Sequence, residues 1–347
     1  MNDTKINELL DISCRATGIG SVPYKDADKA CDIILQKCPD LPYWPQITRI
    51  DVRENMMLQY SEGLPCLRAD LEKKNIYYDN SVNKDEKLLE FYQNIVDSKY
   101  EAFRISRDYA RGFYELLEKS KGAGNRFIKG QVVGPITFLT SVTGEDGRFL
   151  VYDDSFCDVV INGLGMKALW QAGEIKKAGK IPVIFYDEPG LSAFGSAYMT
   201  FGKDKVTVTL NSLVDFIKER EDILIGLHCC GNTDWGMILD TKIDILSFDS
   251  FGYLDNFALY AANIKKFLER GGIVAWGAVP TTQYDKNISL EQIRSRLDAG
   301  LKILKEKGVD EKLLSRNSLF TPSCGLGTLS EEDAQAISDL TCKLSKR

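Results

Sequence analysis

The stretch Ile225-Gly226-Leu227-His228-Cys229-Cys230-Gly231-Asn232 decides how the rest of the chain is read. It belongs to an apolar run that begins at Ile223, is rich in strand formers and stops at a Gly-Asn turn signal. Side chains alternate faces along a strand, so His228 and Cys230 share one face and Cys229 points to the other. His228 is the only histidine in 347 residues. An imidazole and a thiolate two residues apart on a rigid strand make half of a tetrahedral zinc site. Cys324, in Thr321-Pro322-Ser323-Cys324-Gly325-Leu326-Gly327, is the best candidate for a further ligand. A His-x-Cys pair alone is a weak sign, because a free cysteine commonly serves as a small buried apolar residue. Its weight comes from where it falls in the chain.

Outward from this run, similar runs recur at the spacing of a strand–helix repeat. Strands are expected over 14–20, 46–51, 127–133, 182–186, 223–227, 243–248, 272–277 and 318–321. Helical periodicity falls between them, over about 26–35, 88–119, 153–178, 205–218 and 290–307, with a last helix over about 331–344. A polar excursion over about 62–85 reads as an insertion after the second strand. Eight strands alternating with helices give the count of a (β/α)8 TIM barrel, which typically takes ~250 residues or more. The expected fold is therefore an α/β chain, a single (β/α)8 barrel over residues 1–347. An open doubly wound sheet is the runner-up. Thr17-Gly18-Ile19-Gly20-Ser21-Val22 lacks the third glycine of a dinucleotide-binding turn, which weakens any nucleotide reading.

Composition narrows the class. The chain is 44% hydrophobic and 27% charged, ordinary for a folded globular protein, with a net charge of −6. A nucleic-acid footprint would be basic, so no nucleic-acid partner is expected. No apolar run is long enough to span a membrane. The N-terminal Met1-Asn2-Asp3-Thr4-Lys5 is polar and lacks a signal-peptide core, so a cytoplasmic location is expected. The nine cysteines then read as thiols or ligands rather than disulfides.

In such barrels catalytic groups sit at the C-terminal ends of the strands. Polar residues of this sequence collect there: Gly20 and Ser21, Asp51, Asp187 and Glu188, His228 and Cys230, Asp249, and Cys324. Strand ends are often polar because loops begin there, which accounts for Asp51 or Asp249 singly. It does not account for the sole histidine and two cysteines at the same end. Three ligands leave one zinc position open, the mark of a catalytic rather than a structural site. Two thiolates and a neutral imidazole cancel the charge of the metal. Such a centre suits a thiol ligand that loses its proton and reacts as a nucleophile toward an electrophilic carbon, most simply a methyl group. Glu188, Asn232, Trp235 and Trp276 are further candidates either to line the pocket or simply to pack.

These residues resemble the catalytic half of cobalamin-independent methionine synthase and its relatives, the zinc-dependent thiol methyltransferases of the uroporphyrinogen decarboxylase-like barrel superfamily. The matching stretches span nearly the whole chain. Thr17-Gly18-Ile19-Gly20-Ser21-Val22-Pro23 is similar to the segment that holds the carboxylate of the thiol substrate, and Phe185-Tyr186-Asp187-Glu188-Pro189-Gly190-Leu191 to the one whose aspartate binds its amino group. His228-Cys229-Cys230 and Ser323-Cys324-Gly325-Leu326 resemble the zinc motifs. The resemblance implies zinc on His228, Cys230 and Cys324, with Gly20, Ser21, Asp51 and Asp187 binding a homocysteine-like thiol. Where the synthases place a zinc-binding glutamate, Asp249 is the nearest match, one methylene shorter, and a weak fourth ligand. The synthases carry a second, N-terminal barrel that helps bind the folate. This chain has no room for it, which favours a methylcorrinoid, carried on a separate corrinoid protein, over methyltetrahydrofolate as donor. Two rival readings are a metal-free decarboxylase of the same superfamily and a non-catalytic zinc-binding partner of a corrinoid protein.

Overall fold

The computed structural model of the protein describes residues 3–196, 199, 201–282 and 284–345. Along the chain come an antiparallel hairpin, β1 (Leu67–Asp70) and β2 (Asn75–Tyr78), and then six strands. These are β3 (Phe127–Val133), β4 (Ile181–Asp187), β5 (Leu224–Cys229), β6 (Ile245–Phe248), β7 (Ile273–Val279) and β8 (Ser318–Pro322). They pair in parallel in the order of the sequence and form one curled six-stranded sheet, half of a barrel wall, in an α/β fold. The strands are mostly apolar and buried on both faces, as a parallel sheet covered by helices requires.

The runs 14–20 and 46–51, expected as the first two strands, are not regular strands. Gly18 and Gly20 offer no side chains to pack, and Pro42 and Pro45 have no amide to donate to a ladder. What remains are single bridges. At the β8 edge the Thr17 amide donates to the Phe320 carbonyl (2.9 Å) and the Phe320 amide to Arg15 (2.9 Å). At the β3 edge Trp44 donates to Lys129 (2.9 Å) and Lys129 to Pro42 (2.8 Å). The two segments bond one another through Val22 to Gln46 and Gln46 to Gly20, both at 3.0 Å. Both edges of the sheet are thus covered, which satisfies groups that would otherwise template aggregation. Residues 48–50 form a turn and Asp51 caps a 3-10 helix, Val52–Glu54, rather than ending a strand. The excursion 62–85 is ordered around the β1–β2 hairpin.

The strand period of two sorts the interior. Phe127, Val183, Phe185, Leu224, Ile245, Ile273, Ala275 and Leu319 form one apolar cluster inside the curled sheet. Ile6 and Leu9 of the helix Asp3–Leu10, with Ile12, join that cluster near the N-terminal ends of the strands and close that end. Gly226 is required here: a Cβ on it would lie 2.6 Å from the Phe185 ring. Outside the sheet, the helix Asp154–Lys177 covers β3 and β4. It is apolar almost all round, as a helix packed on several sides must be, and the Asp153 carboxylate accepts from the Ser155 and Phe156 amides to cap it. The apolar end is therefore closed, and the polar residues lie toward the C-terminal strand ends. Among the described residues, no helix is long and apolar enough to cross a membrane.

Candidate metal centre

His228 lies near the end of β5, in register with Asp187 of β4 on one side and Ser247 of β6 on the other. Cys230 follows two residues on, and Cys324 lies in the turn after β8. One ligand atom from each of His228, Cys230 and Cys324 comes together within 4.8 Å of the others. Tetrahedral zinc with bonds of about 2.0–2.3 Å needs such atoms about 3.5 Å or a little more apart, which falls within that span. Cys229 points away, buried, with its thiol toward the Gly231 carbonyl at 3.4 Å. The alternation read from the sequence therefore holds.

The donor set fits zinc on a second ground. His228 is buried, and its Nδ1 lies 3.0 Å from the Ser247 hydroxyl. Its Nε2 is buried with no hydrogen-bond partner. Such an atom costs stability unless a ligand satisfies it. The two thiols are not independent. The Cys230 thiol is held well below its usual range, first by a hydrogen bond from Cys324 and further by the nearby His228 imidazole, while Cys230 and burial push the Cys324 thiol up. A cation would replace the proton of that hydrogen bond.

Asp187 ends β4 beside this cluster. Burial pushes its carboxyl up to about 6; Lys129 and His228 pull the other way, and Cys230 adds to the rise. Its Oδ1 is buried without a hydrogen-bond partner, so Asp187 presents an unfilled acceptor next to the sulfurs. Glu188 does not. It accepts from the Ile136 amide (2.8 Å), the Thr137 amide (2.7 Å) and the Thr137 hydroxyl (2.6 Å) and so anchors the start of the helix Pro135–Leu139. Burial pushes its carboxyl up to about 7 against those bonds.

Asp249 follows β6 and accepts from the Gly252 amide at 2.7 Å, capping the helix Ser250–Phe257. Burial raises its carboxyl, and Cys230 adds to the rise, but the carboxylate does not join the three-residue cluster. Asp51 does not join it either. Arg53 holds it at 2.7 Å and Arg111 at 3.2 Å, and the Arg53 bond lowers its carboxyl. Gly20 and Ser21 do reach the cluster's neighbourhood. Ser21 accepts from Leu326 through its carbonyl (2.8 Å) and from Gly327 through its hydroxyl (3.3 Å), which ties it to the turn that carries Cys324. A Cβ on Gly325 would sit 2.2 Å from the Ser21 hydroxyl, so this stitch needs glycine. Trp235 and Trp276 pack: Trp235 against Phe248 and Phe257, and Trp276 with its indole N–H on the Ser318 hydroxyl at 2.7 Å. Asn232 accepts from the Trp235 indole at 3.2 Å. A cavity of about 690 Å³, lined by Asp249, Phe251, Arg296 and Ser323 among others, opens beside the cluster.

Ser247 and Lys129 are the site residues that the sequence motifs do not reveal. The signal for Lys129 is the period of two in Phe127-Ile128-Lys129-Gly130-Gln131, which puts the lysine on the inward face with Phe127.

Comparison with known proteins follows the same direction. No family model matches the chain. A methionine synthase of Methanocaldococcus jannaschii is 29% identical over 205 residues, a match that covers 58% of this chain. The match takes in 59% of that relative's length, less than two thirds of it. A solved B12-independent methionine synthase from Shewanella sp. W3-18-1, in complex with selenomethionine, superimposes with a TM-score of 0.60 at 14% identity, covering 96% of this chain and 97% of the other. The pneumococcal virulence factor StrH, known for N-glycan recognition and hydrolysis, superimposes with a TM-score of 0.50 at 11% identity over 96% of this chain and 83% of its own. At such identities the two superpositions speak to the fold alone.

Proposed function

As a protein of the methionine synthase-like family, this chain, we propose, is a zinc-dependent methyltransferase that moves a methyl group to the thiol of a homocysteine-like amino acid. The observation that carries the reading is the convergence of His228, Cys230 and Cys324, with a buried His228 Nε2 that has no other partner. His228, Cys230 and Cys324 would hold the zinc. When bound, zinc supplies a Lewis acid that lets a substrate thiol lose its proton near neutral pH.

The rest is the work of this chain's own residues. Asp187, with its free Oδ1, pairs with the substrate ammonium. The backbone at Gly20 and Ser21, pinned to the Cys324 turn, receives the carboxylate. Ser247 orients the His228 ring. The sulfur–carbon bond forms as the bond from donor to methyl breaks, and that electron pair stays with the donor. The thiol proton leaves to solvent. Asp249 caps its helix and shapes the rim beside the cavity rather than supplying a strong ligand.

We read the ring as a (β/α)8 barrel over one domain, its first two strands reduced to the bridges at Ala16 and at Ser21–Gln46. The solved neighbour is described as B12-independent, which weighs against the methylcorrinoid donor implied by the sequence and makes methyltetrahydrofolate the donor to offer first. Methylcobalamin, free and on a corrinoid protein, is the second. A metal-free decarboxylase leaves the two thiols and the orphaned imidazole without a purpose.

The test is zinc per chain and methyl transfer in the wild type and in Cys324→Ser. One zinc per wild-type chain is expected, with both zinc and turnover lost in the variant. Wild type that transfers methyl without metal, or a variant that keeps its zinc and its full rate, would overturn the reading.

A further inference from the structure

Lys129 is a fully buried cation: its side chain is 1% exposed and points into the curled sheet from β3. Among the described residues it forms no salt bridge. Its ammonium donates to the Ile19 carbonyl at 2.5 Å, lies 3.4 Å from Gln131 Oε1 and stands 4.7 Å above the Phe185 ring. Burial lowers its pKa to about 8, and the Asp187 carboxylate pulls the other way. A methionine would fill the same volume without the desolvation of an ammonium, so packing does not explain the lysine.

What the ammonium holds is specific. Ile19 belongs to the segment that bridges β8 to the 42–46 segment without the regular ladder of a strand. Its carbonyl is held from inside the barrel by Lys129 instead. The next residue, Gly20, fits so closely that a Cβ would lie 2.7 Å from Gln46 Oε1 and 3.1 Å from Gln131 Nε2. The residue after it, Ser21, is bonded to the Leu326 and Gly327 amides in the turn that carries Cys324. One lysine therefore fixes the backbone that leads from the interior to the thiol cluster, through a hydrogen bond from its ammonium.

We propose that Lys129 is a positioning residue for the carboxylate of the substrate: its ammonium, through the Ile19 carbonyl, sets the Gly20–Ser21 backbone that receives a carboxylate and biases that end of the site toward an anion. The proposal rests on the reading of the substrate as a thiol amino acid. It adds that substrates lacking the carboxylate gain nothing from Lys129.

The experiment is calorimetric titration of the zinc-loaded protein with homocysteine and with 3-aminopropanethiol, the same molecule without its carboxylate. Zinc content is measured alongside. In Lys129→Met, homocysteine affinity is expected to fall about 10- to 100-fold, the size of a lost hydrogen bond to a charged group, with one zinc per chain retained and 3-aminopropanethiol affinity unchanged. Equal losses for both thiols, or no loss for either, would overturn the proposal. Should Lys129→Met fail to fold, Lys129→Gln keeps a hydrogen-bond donor without the charge and is judged by the same ratio of the two affinities. Wild type that binds zinc but neither thiol would instead overturn the thiol reading itself, before Lys129 is reached.

Discussion

His228 Nδ1 lies 3.0 Å from the Ser247 hydroxyl, across the register pair that joins β5 to β6. The contact fixes the imidazole ring and leaves Nε2 as its unfilled atom. A histidine ligand is usually oriented in this way by a partner on its second nitrogen, and losing that partner typically weakens metal binding about 10- to 100-fold. Ser247→Ala should therefore lower zinc affinity by that order in a competition titration with a chelator, while the zinc content at saturating metal stays at one per chain. Unchanged affinity would mean that the ring is held by packing alone.

Asp187 separates binding of the substrate ammonium from binding of the metal. Its Oδ1 is unpartnered and buried, and it does not belong to the three-ligand cluster. A hydrogen bond to a charged group contributes about 1.5–3 kcal/mol. Asp187→Asn should weaken homocysteine binding by about that amount and leave 4-mercaptobutyrate, which has no amine, unaffected. Calorimetry on the two ligands checks it; equal weakening of both would place Asp187 in a structural role.

The stability profile of Lys129 follows from linkage. Its folded pKa, about 8, lies below the ordinary value of 10.5. Between those two values the unfolded chain binds the proton more readily than the folded one, so stability rises with pH across that window. Below about pH 8 the lysine is charged in both states, and its burial costs roughly 3 kcal/mol. Urea unfolding of wild type and Lys129→Met at pH 7 and pH 10 should show the wild type gaining on the variant at the higher pH. A difference between the two proteins that does not change with pH would mean that Lys129 titrates normally.

Gly226 and Phe185 share one space inside the sheet. An added methyl at Gly226 would press on the Phe185 ring at 2.6 Å, and overpacking of this kind costs about 1–3 kcal/mol. Gly226→Ala should lower the urea midpoint accordingly, and combining it with Phe185→Leu should recover part of the loss. Full additivity of the two substitutions would show that they do not meet.

The sequence alone determined the parts whose physics is local. Alternation put His228 and Cys230 on one face and Cys229 on the other, and mostly apolar runs marked β3 to β8 within a residue or two. Helical periodicity found the helices Asp154–Lys177 and Glu331–Leu344, the latter with the Ser330 hydroxyl accepting from the Asp333 amide at 3.0 Å. Long-range relationships were decided by the tertiary structure. The runs at 14–20 and 46–51 have strand-like composition, but glycines in the first, and a turn in the second with prolines just before it, reduce them to bridges. Asp51 looks like a strand-end carboxylate until Arg53 and Arg111 close on it. Ser247 and Lys129 carry no motif, because what makes them matter is the distance to His228 and to Ile19, residues 19 and 110 positions away in the chain. A pattern of residue types sets which way a side chain points; only the register between strands and the closure of the sheet set what it meets.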